Sequence, residues 1–214
     1  MPRLQLVIGS KNYSSWSLRG WLALKHTGAE FDEVLVSFAD PRWRDEIRRY
    51  SPSGRVPFLR DGALCVWDSL AIVEYLAERF PAARLWPADA AARALARSAA
   101  AEMHSGFAAL RNNMPMDLQA NEPGKGHAPE ALADAVRVKE LWSECRRRFG
   151  GAGGPYLFGA FSAADCFYAP VVFRFLSYGV PLDDVSRAYA EAIVAHPAVK
   201  EWRAAGLAEP RVDH

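Results

Sequence analysis

An α/β domain followed by an all-helical domain is the fold class that this 214-residue sequence predicts. Three observations carry it. The first 80 residues alternate as strand, helix, strand and then strand, strand, helix; a break with two prolines follows at 81–88; and no strand signal occurs from Asp89 onward. An apolar fraction of 50% over this length supports a substantial core.

The apolar run Leu4 to Ile8, closed by Gly9, is too short for a helix and reads as a buried strand. Asn-Tyr-Ser-Ser-Trp-Ser (12–17) then opens a helix carrying Leu18, Trp21, Leu22 and Lys25 at helical spacing, with Gly28 at its C-terminus. Phe31 to Phe38 is a second strand, and Pro41 to Arg44 begins a short charged helix or loop. After the turn cluster Ser51 to Arg55, Val56-Pro57-Phe58-Leu59 and Leu64 to Trp67 flank Asp61-Gly62, a strong hairpin signal. Pro57 has no N–H to give a ladder and belongs at the strand's start. Asp68-Ser69 precedes a helix with the stripe Ile72, Tyr75, Leu76 and Phe80.

In the second domain, Leu95, Ala99, Met103, Phe107, Leu110 and Met114 form one predicted helical stripe. Leu132, Val136, Trp142, Cys145 and Phe149 form another, and the polar break 121–129 between them predicts a mobile loop. The glycine run 150–154 lacks a phosphate-loop ending and reads as a loop. Ser162-Ala-Ala-Asp165 has capping-box spacing ahead of a segment apolar on nearly every side. Leu182 to Ile193 and Val199 to Leu207, the latter started by Pro197, supply two more helices.

Composition removes several function classes. With 26 basic and 25 acidic residues, the net charge of +1 offers no footprint for nucleic acid or an anionic membrane. No run approaches the ~18 apolar residues of a membrane span, and the N-terminus has no signal pattern. Cys65, Cys145 and Cys166 are odd in number and widely spaced, which suits a reduced, cytoplasmic setting. Neither His-Glu-x-x-His nor Cys-x-x-Cys is present, so no metal is expected. Without a Gly-x-Ser-x-Gly elbow, a serine hydrolase is disfavoured.

The chemistry points to the start of the first helix. A strand feeding a helix leaves unpaired N–H groups there, which favour an anion or a thiolate, and Ser14 and Ser15 place two hydroxyls at that spot. Either serine also serves as an ordinary N-cap, stabilising by ~1 kcal/mol. A free thiol near pKa 8.5 is only about a tenth thiolate or less at neutral pH. Lowering that pKa by ~2 units takes roughly 2.7 kcal/mol. A hydroxyl hydrogen bond to a charged acceptor contributes ~1.5–3 kcal/mol and a helix N-terminus ~0.3–1, so the two suffice.

Taken together, Ser14-Ser15-Trp16-Ser17, Ser51 to Leu59 and the Asp68-Ser69 helix resemble the cytosolic glutathione S-transferase family over the whole chain. Ser-Ser-x-Ser-x-Arg is similar to its serine-type, zeta-like members, except that Trp16 stands where the zeta pattern has Cys. The resemblance implies a thioredoxin-like glutathione-binding domain at 1–80, a linker at 81–88 and an all-helical domain at 89–214 with the second-substrate pocket. It implies that Ser14, or failing it Ser15, donates to the glutathione sulfur. Arg55, Val56 and Pro57 would hold the tripeptide, with Val56 pairing its backbone to the cysteinyl unit before a cis proline. Asp68 and Ser69 would grip the γ-glutamyl end, and Tyr13, Trp16, Met103, Phe107 and Arg111 would line the pocket for the electrophile. Glutathione is the implied co-substrate, with no metal, and a homodimer is the implied assembly. An indole at position 16 favours a flat electrophile, hence conjugation or peroxide reduction ahead of maleylacetoacetate isomerisation. The competing class is a non-catalytic binding module of the same fold, which fold alone does not separate from an enzyme.

Overall fold

The computed structural model describes residues 3–212. Four strands, β1 (Leu4–Gly9), β2 (Phe31–Val36), β3 (Phe58–Asp61) and β4 (Leu64–Trp67), form one sheet in the order β2-β1-β3-β4. β1 runs parallel to β2, which requires a crossover, and α1 (Ser15–His26) supplies it. β3 is antiparallel to both β1 and β4. The β3–β4 hairpin closes through Gly62-Ala63, with Gly62 at φ 59°, where a side chain is disfavoured.

Every β1 residue except Gln5 is buried, which is why the strand reads as a continuous apolar run. Its alternation still sorts the two faces. Leu6 and Ile8 join Leu59 under α1 and α3 (Ser69–Arg79), whereas Val7 joins Val36, Phe58 and Ile47 of α2 (Trp43–Tyr50) on the other side. This is the thioredoxin-like α/β arrangement.

The helical part comprises α4 (Ala90–Ser105), α5 (Ala108–Asn113), α6 (Pro129–Phe149), α7 (Ala163–Tyr178), α8 (Asp184–Ala195) and α9 (Pro197–Leu207). Nearly all of α7 is buried, and it packs against both α1 and α4. Its start matches the sequence reading. The Asp165 carboxylate accepts from the Ser162 N–H (2.8 Å), the Ser162 hydroxyl (2.9 Å) and the Leu157 N–H (3.1 Å).

Several expectations change. The stripe from Leu95 to Met114 is two helices, because α4 ends at Gly106, where a Cβ would lie 2.7 Å from the Glu102 carbonyl oxygen. Phe107 follows in the left-handed region at φ 53°, and Asp134 Oδ2 accepts the Leu110 N–H at 2.9 Å near the start of α5. On α6, Val136 is 51% exposed; the buried face is Ala131, Ala135, Val138, Leu141, Trp142 and Cys145, whose alanines are quiet in an apolar reading. The 121–129 segment is tied to the end of α7 rather than loose: Glu122 N–H donates to Ser177 O and Gly124 N–H to Tyr178 O. β2 stops at Val36, and α8 begins at Asp184. Cys65 is exposed, while Cys145 and Cys166 are buried and all three are free thiols. Among the described residues no helix is long and apolar enough to cross a membrane, and no three His, Cys, Asp or Glu side chains group as a metal site.

Candidate active site

An open cleft of about 930 Å³ lies where α1, the Val56-Pro57 segment and α3 begin, with α4 and α5 opposite. It gathers Tyr13, Ser14, Ser15, Trp16, Arg55, Val56, Pro57, Asp68, Ser69 and Arg111 from the sequence-predicted set. Met103 and Phe107 do not line it. Both are buried in the core, and His104, beside Met103 on α4, faces the cleft instead.

Ser14 is the N-cap of α1, and the first turn contains no acidic residue, so the helix end keeps its positive field. The Ser14 hydroxyl accepts from the Ser17 N–H at 3.4 Å and donates to Ser17 Oγ at 2.7 Å. Ser15 has a different role: its Oγ accepts from Arg174 Nη2 at 3.1 Å. Pro57, in a cis peptide with Val56, packs against α1 at Gly20, where a Cβ would lie 3.1 Å from the ring. The glycine therefore lets the helix and the proline segment approach closely around the cleft.

At the other end, Asp68 caps α3 from φ 75°, a rare conformation for a non-glycine residue and one that tends to persist at functional sites. Its Oδ1 accepts from Leu70 N–H (2.8 Å) and Ala71 N–H (3.4 Å), and its Oδ2 faces His104 Nε2 at 3.3 Å. The neighbouring Ser69 Oγ is buried with no hydrogen-bond partner. A buried hydroxyl left unpaired is costly, so this one is poised for a ligand.

Beneath the cleft is a concentration of positive charge. Arg19 is fully buried, its three guanidinium nitrogens lack partners, and it stacks 3.9 Å from the centre of the Trp16 ring. Arg111 sits 5.4 Å from the same ring, with its Nε also buried and unpaired. Arg174 donates to the carbonyls of Arg111 and Met114. Burial, and then the Arg111 charge, pull the Arg174 guanidinium down to about 10, and burial, then the Arg174 and Arg111 charges, hold Arg19 well below its ordinary value. Such desolvated cations favour an anion in the cleft.

The loop ahead of Ser14 is held by the helical part. Asn12, fully buried, accepts the Leu118 N–H at 2.8 Å and donates to Asp117 Oδ1 at 3.0 Å, while Glu209 accepts the N–H groups of Lys11 and Asn12.

The site thus joins a thioredoxin-like sheet, a serine-capped helix facing a cleft, and a helical partner that completes the cleft. Residues 13–79 match the glutathione S-transferase N-terminal domain and residues 89–205 the C-terminal domain. The chain therefore belongs to the glutathione S-transferase family of enzymes. It is 31% identical to glutathione S-transferase 1 of Dianthus caryophyllus over 79% of this chain and 76% of that one. It is 29% identical to maleylacetoacetate isomerase of Rattus norvegicus, over 74% and 71%. A glutathione transferase homolog from Burkholderia GL BGR1, solved with bound glutathione, superposes with a TM-score of 0.70 at 25% identity, covering 96% of this chain and 98% of that one.

Sequence reading missed His104, Arg174 and the Asn12 anchor. A helical histidine and an arginine in an apolar stretch carry no local signal, and only tertiary packing brings Arg174 to Ser15, 159 positions away.

Proposed function

We propose that this protein activates the thiol of glutathione for attack on a small electrophile, in conjugation or glutathione-dependent peroxide reduction. The observation that carries this reading is the Ser14 hydroxyl at the N-terminus of α1, opening on a cleft whose far end holds the unpaired Ser69 hydroxyl. A cysteinyl sulfur at Ser14 gains one charge-assisted hydrogen bond and the helix field. Ser69 and Asp68 take the γ-glutamyl carboxylate and ammonium, the Val56 backbone takes the cysteinyl unit, and Arg55 adds a further contact to the tripeptide. Residues 1–80 thus act as the glutathione domain and 89–214 as the electrophile domain, joined at 81–88. A cytoplasmic homodimer is the assembly we expect; a monomer in light scattering at micromolar concentration contradicts that part.

A second reading is favoured by one observation, Arg111 lining the cleft with buried Arg19 and Arg174 adding positive charge behind it. Arg111 suits an electrophile that carries a carboxylate, as in the isomerase alternative, with Trp16 covering its flat part. The deciding measurement is a spectroscopic pH titration of glutathione bound to the protein. Thiolate absorbance appearing well below the free thiol's pKa supports activation, and an unshifted titration leaves a binding module.

A further inference from the structure

We infer that Ser17 is the positioning residue that directs the Ser14 hydroxyl toward sulfur, an inference that rests on the reading of Ser14 as the sulfur's donor. Ser17 is fully buried in the first turn of α1 and does not line the cleft. Its Oγ accepts from the N–H of Gly9, the last residue of β1, at 3.1 Å, and from the Ser14 hydroxyl at 2.7 Å. Its own backbone N–H points back to Ser14 Oγ. The two serines therefore bond each other twice, and both are anchored to the sheet through Gly9.

A hydroxyl has one proton and two acceptor sites. In the structure the Ser14 proton is committed to Ser17, so Ser14 cannot at the same time donate to a sulfur in the cleft. The short contact between the hydroxyls survives thiolate binding only if both protons turn. Ser14 O–H then donates to sulfur, and Ser17 O–H donates to Ser14 Oγ. Ser17 accepts from Gly9 N–H in either state, so a small turn of its side chain is enough to aim its O–H at Ser14 Oγ. No proton leaves the pair and no bond is broken. The result is a chain running Gly9 N–H, Ser17 O–H, Ser14 O–H, thiolate, in which each donor is polarised by the one behind it; such chains strengthen each bond by about 10–30%. Ser17 thereby converts a helix cap into a thiolate donor without touching the substrate.

The test is the thiolate titration of bound glutathione in the wild type, Ser17→Ala, Ser14→Ala and the double variant. Ser17→Ala is expected to raise the titration midpoint by roughly half to one pH unit and to lower kcat/KM below the midpoint by about three- to tenfold. In the Ser14→Ala background the Ser17 substitution should move the midpoint no further, a result that a merely structural role would not give. Because Ser17→Ala strands the buried Gly9 N–H, Ser17→Cys is measured alongside; it keeps a γ atom and a weak donor, and should give a shift of the same sign. A midpoint that moves in Ser14→Ala but not in either Ser17 variant overturns the inference, as does an equal Ser17 shift with and without the Ser14 hydroxyl. An unmoved midpoint in Ser14→Ala alone removes the underlying reading, and the Ser17 inference with it.

Discussion

His104 Nε2 lies 3.3 Å from Asp68 Oδ2, joining the end of α4 to the cap of α3 across the cleft. Asp68 Oδ1 is engaged by the α3 N–H groups; on the proposed reading Oδ2 is the oxygen that takes the γ-glutamyl ammonium, held in place by His104. Both groups are partly exposed, and such pairs contribute ~0.2–1 kcal/mol. His104→Ala should therefore raise the KM for glutathione by roughly 1.4- to fivefold with kcat nearly unchanged. Steady-state kinetics with glutathione varied will decide; a fall in kcat at constant KM would place His104 in the chemistry instead.

Ser14→Ala should cost more in rate than in fold. The lost hydrogen bond to thiolate, at ~1.5–3 kcal/mol, corresponds to roughly 10- to 150-fold in turnover. The lost cap costs about 0.5–2 kcal/mol of stability, because Ser14 Oγ also accepts the Ser17 N–H. Ser15→Ala should instead disturb Arg174 and leave the thiol titration in place. If Ser15→Ala raises the thiol pKa and Ser14→Ala does not, the two roles are exchanged.

The fold and the geometry of the cleft were only partly legible in the sequence, and the division has a physical basis. β1, the Ser14 helix start, the Asp61-Gly62 hairpin and the Ser162/Asp165 box are local devices, each specified by neighbours within a few residues. The break after α4 was hidden because Leu110 and Met114 keep the phase of Met103, while the turn depends on a glycine and on Asp134 from another helix. Arg19 lies within a readable motif, yet its isolation from any acceptor follows from the packing of α1 on α7, which spacing does not encode.

Asp165→Ala should destabilise by about 1–3 kcal/mol at neutral pH, since three donors, two of them backbone N–H groups, lose their acceptor. The pH dependence has a definite sign. Burial raises the Asp165 carboxyl from its ordinary 3.8 to about 6, so between these values the folded state binds more proton than the unfolded one. The residue's contribution is fully present below pH ~4, falls as pH rises to about 6, and is level above. The stability gap between wild type and Asp165→Ala should therefore widen as pH drops from 7 to 4.5. Denaturant midpoints for both proteins at the two pH values provide the check, and a narrowing gap contradicts the raised carboxyl.

Arg111 and Trp16 together should determine which electrophiles are accepted. The indole offers an apolar face, but Arg19 occupies one side of it at 3.9 Å and Arg111 approaches at 5.4 Å, so a flat substrate near the ring also meets positive charge. Arg111 lines the cleft, whereas Arg19 is fully buried, which makes Arg111 the cation that can reach a substrate directly. Replacing it with Gln removes charge while keeping length and hydrogen-bonding capacity. A hydrogen bond between charged groups is worth ~1.5–3 kcal/mol, so Arg111→Gln should raise the KM for a carboxylated electrophile by roughly 10- to 150-fold. For a neutral chlorinated nitroaromatic it should change little. Trp16→Ala should weaken the nitroaromatic, through lost apolar contact, and loosen Arg19 beneath it. Assays of wild type and both variants with a nitroaromatic, an organic hydroperoxide and a maleylacetoacetate analogue separate the readings. Conjugation is supported if the nitroaromatic or hydroperoxide is turned over fastest and Arg111→Gln leaves it intact. If the analogue is far faster and Arg111→Gln abolishes that advantage, the arginines rather than the indole set the substrate class.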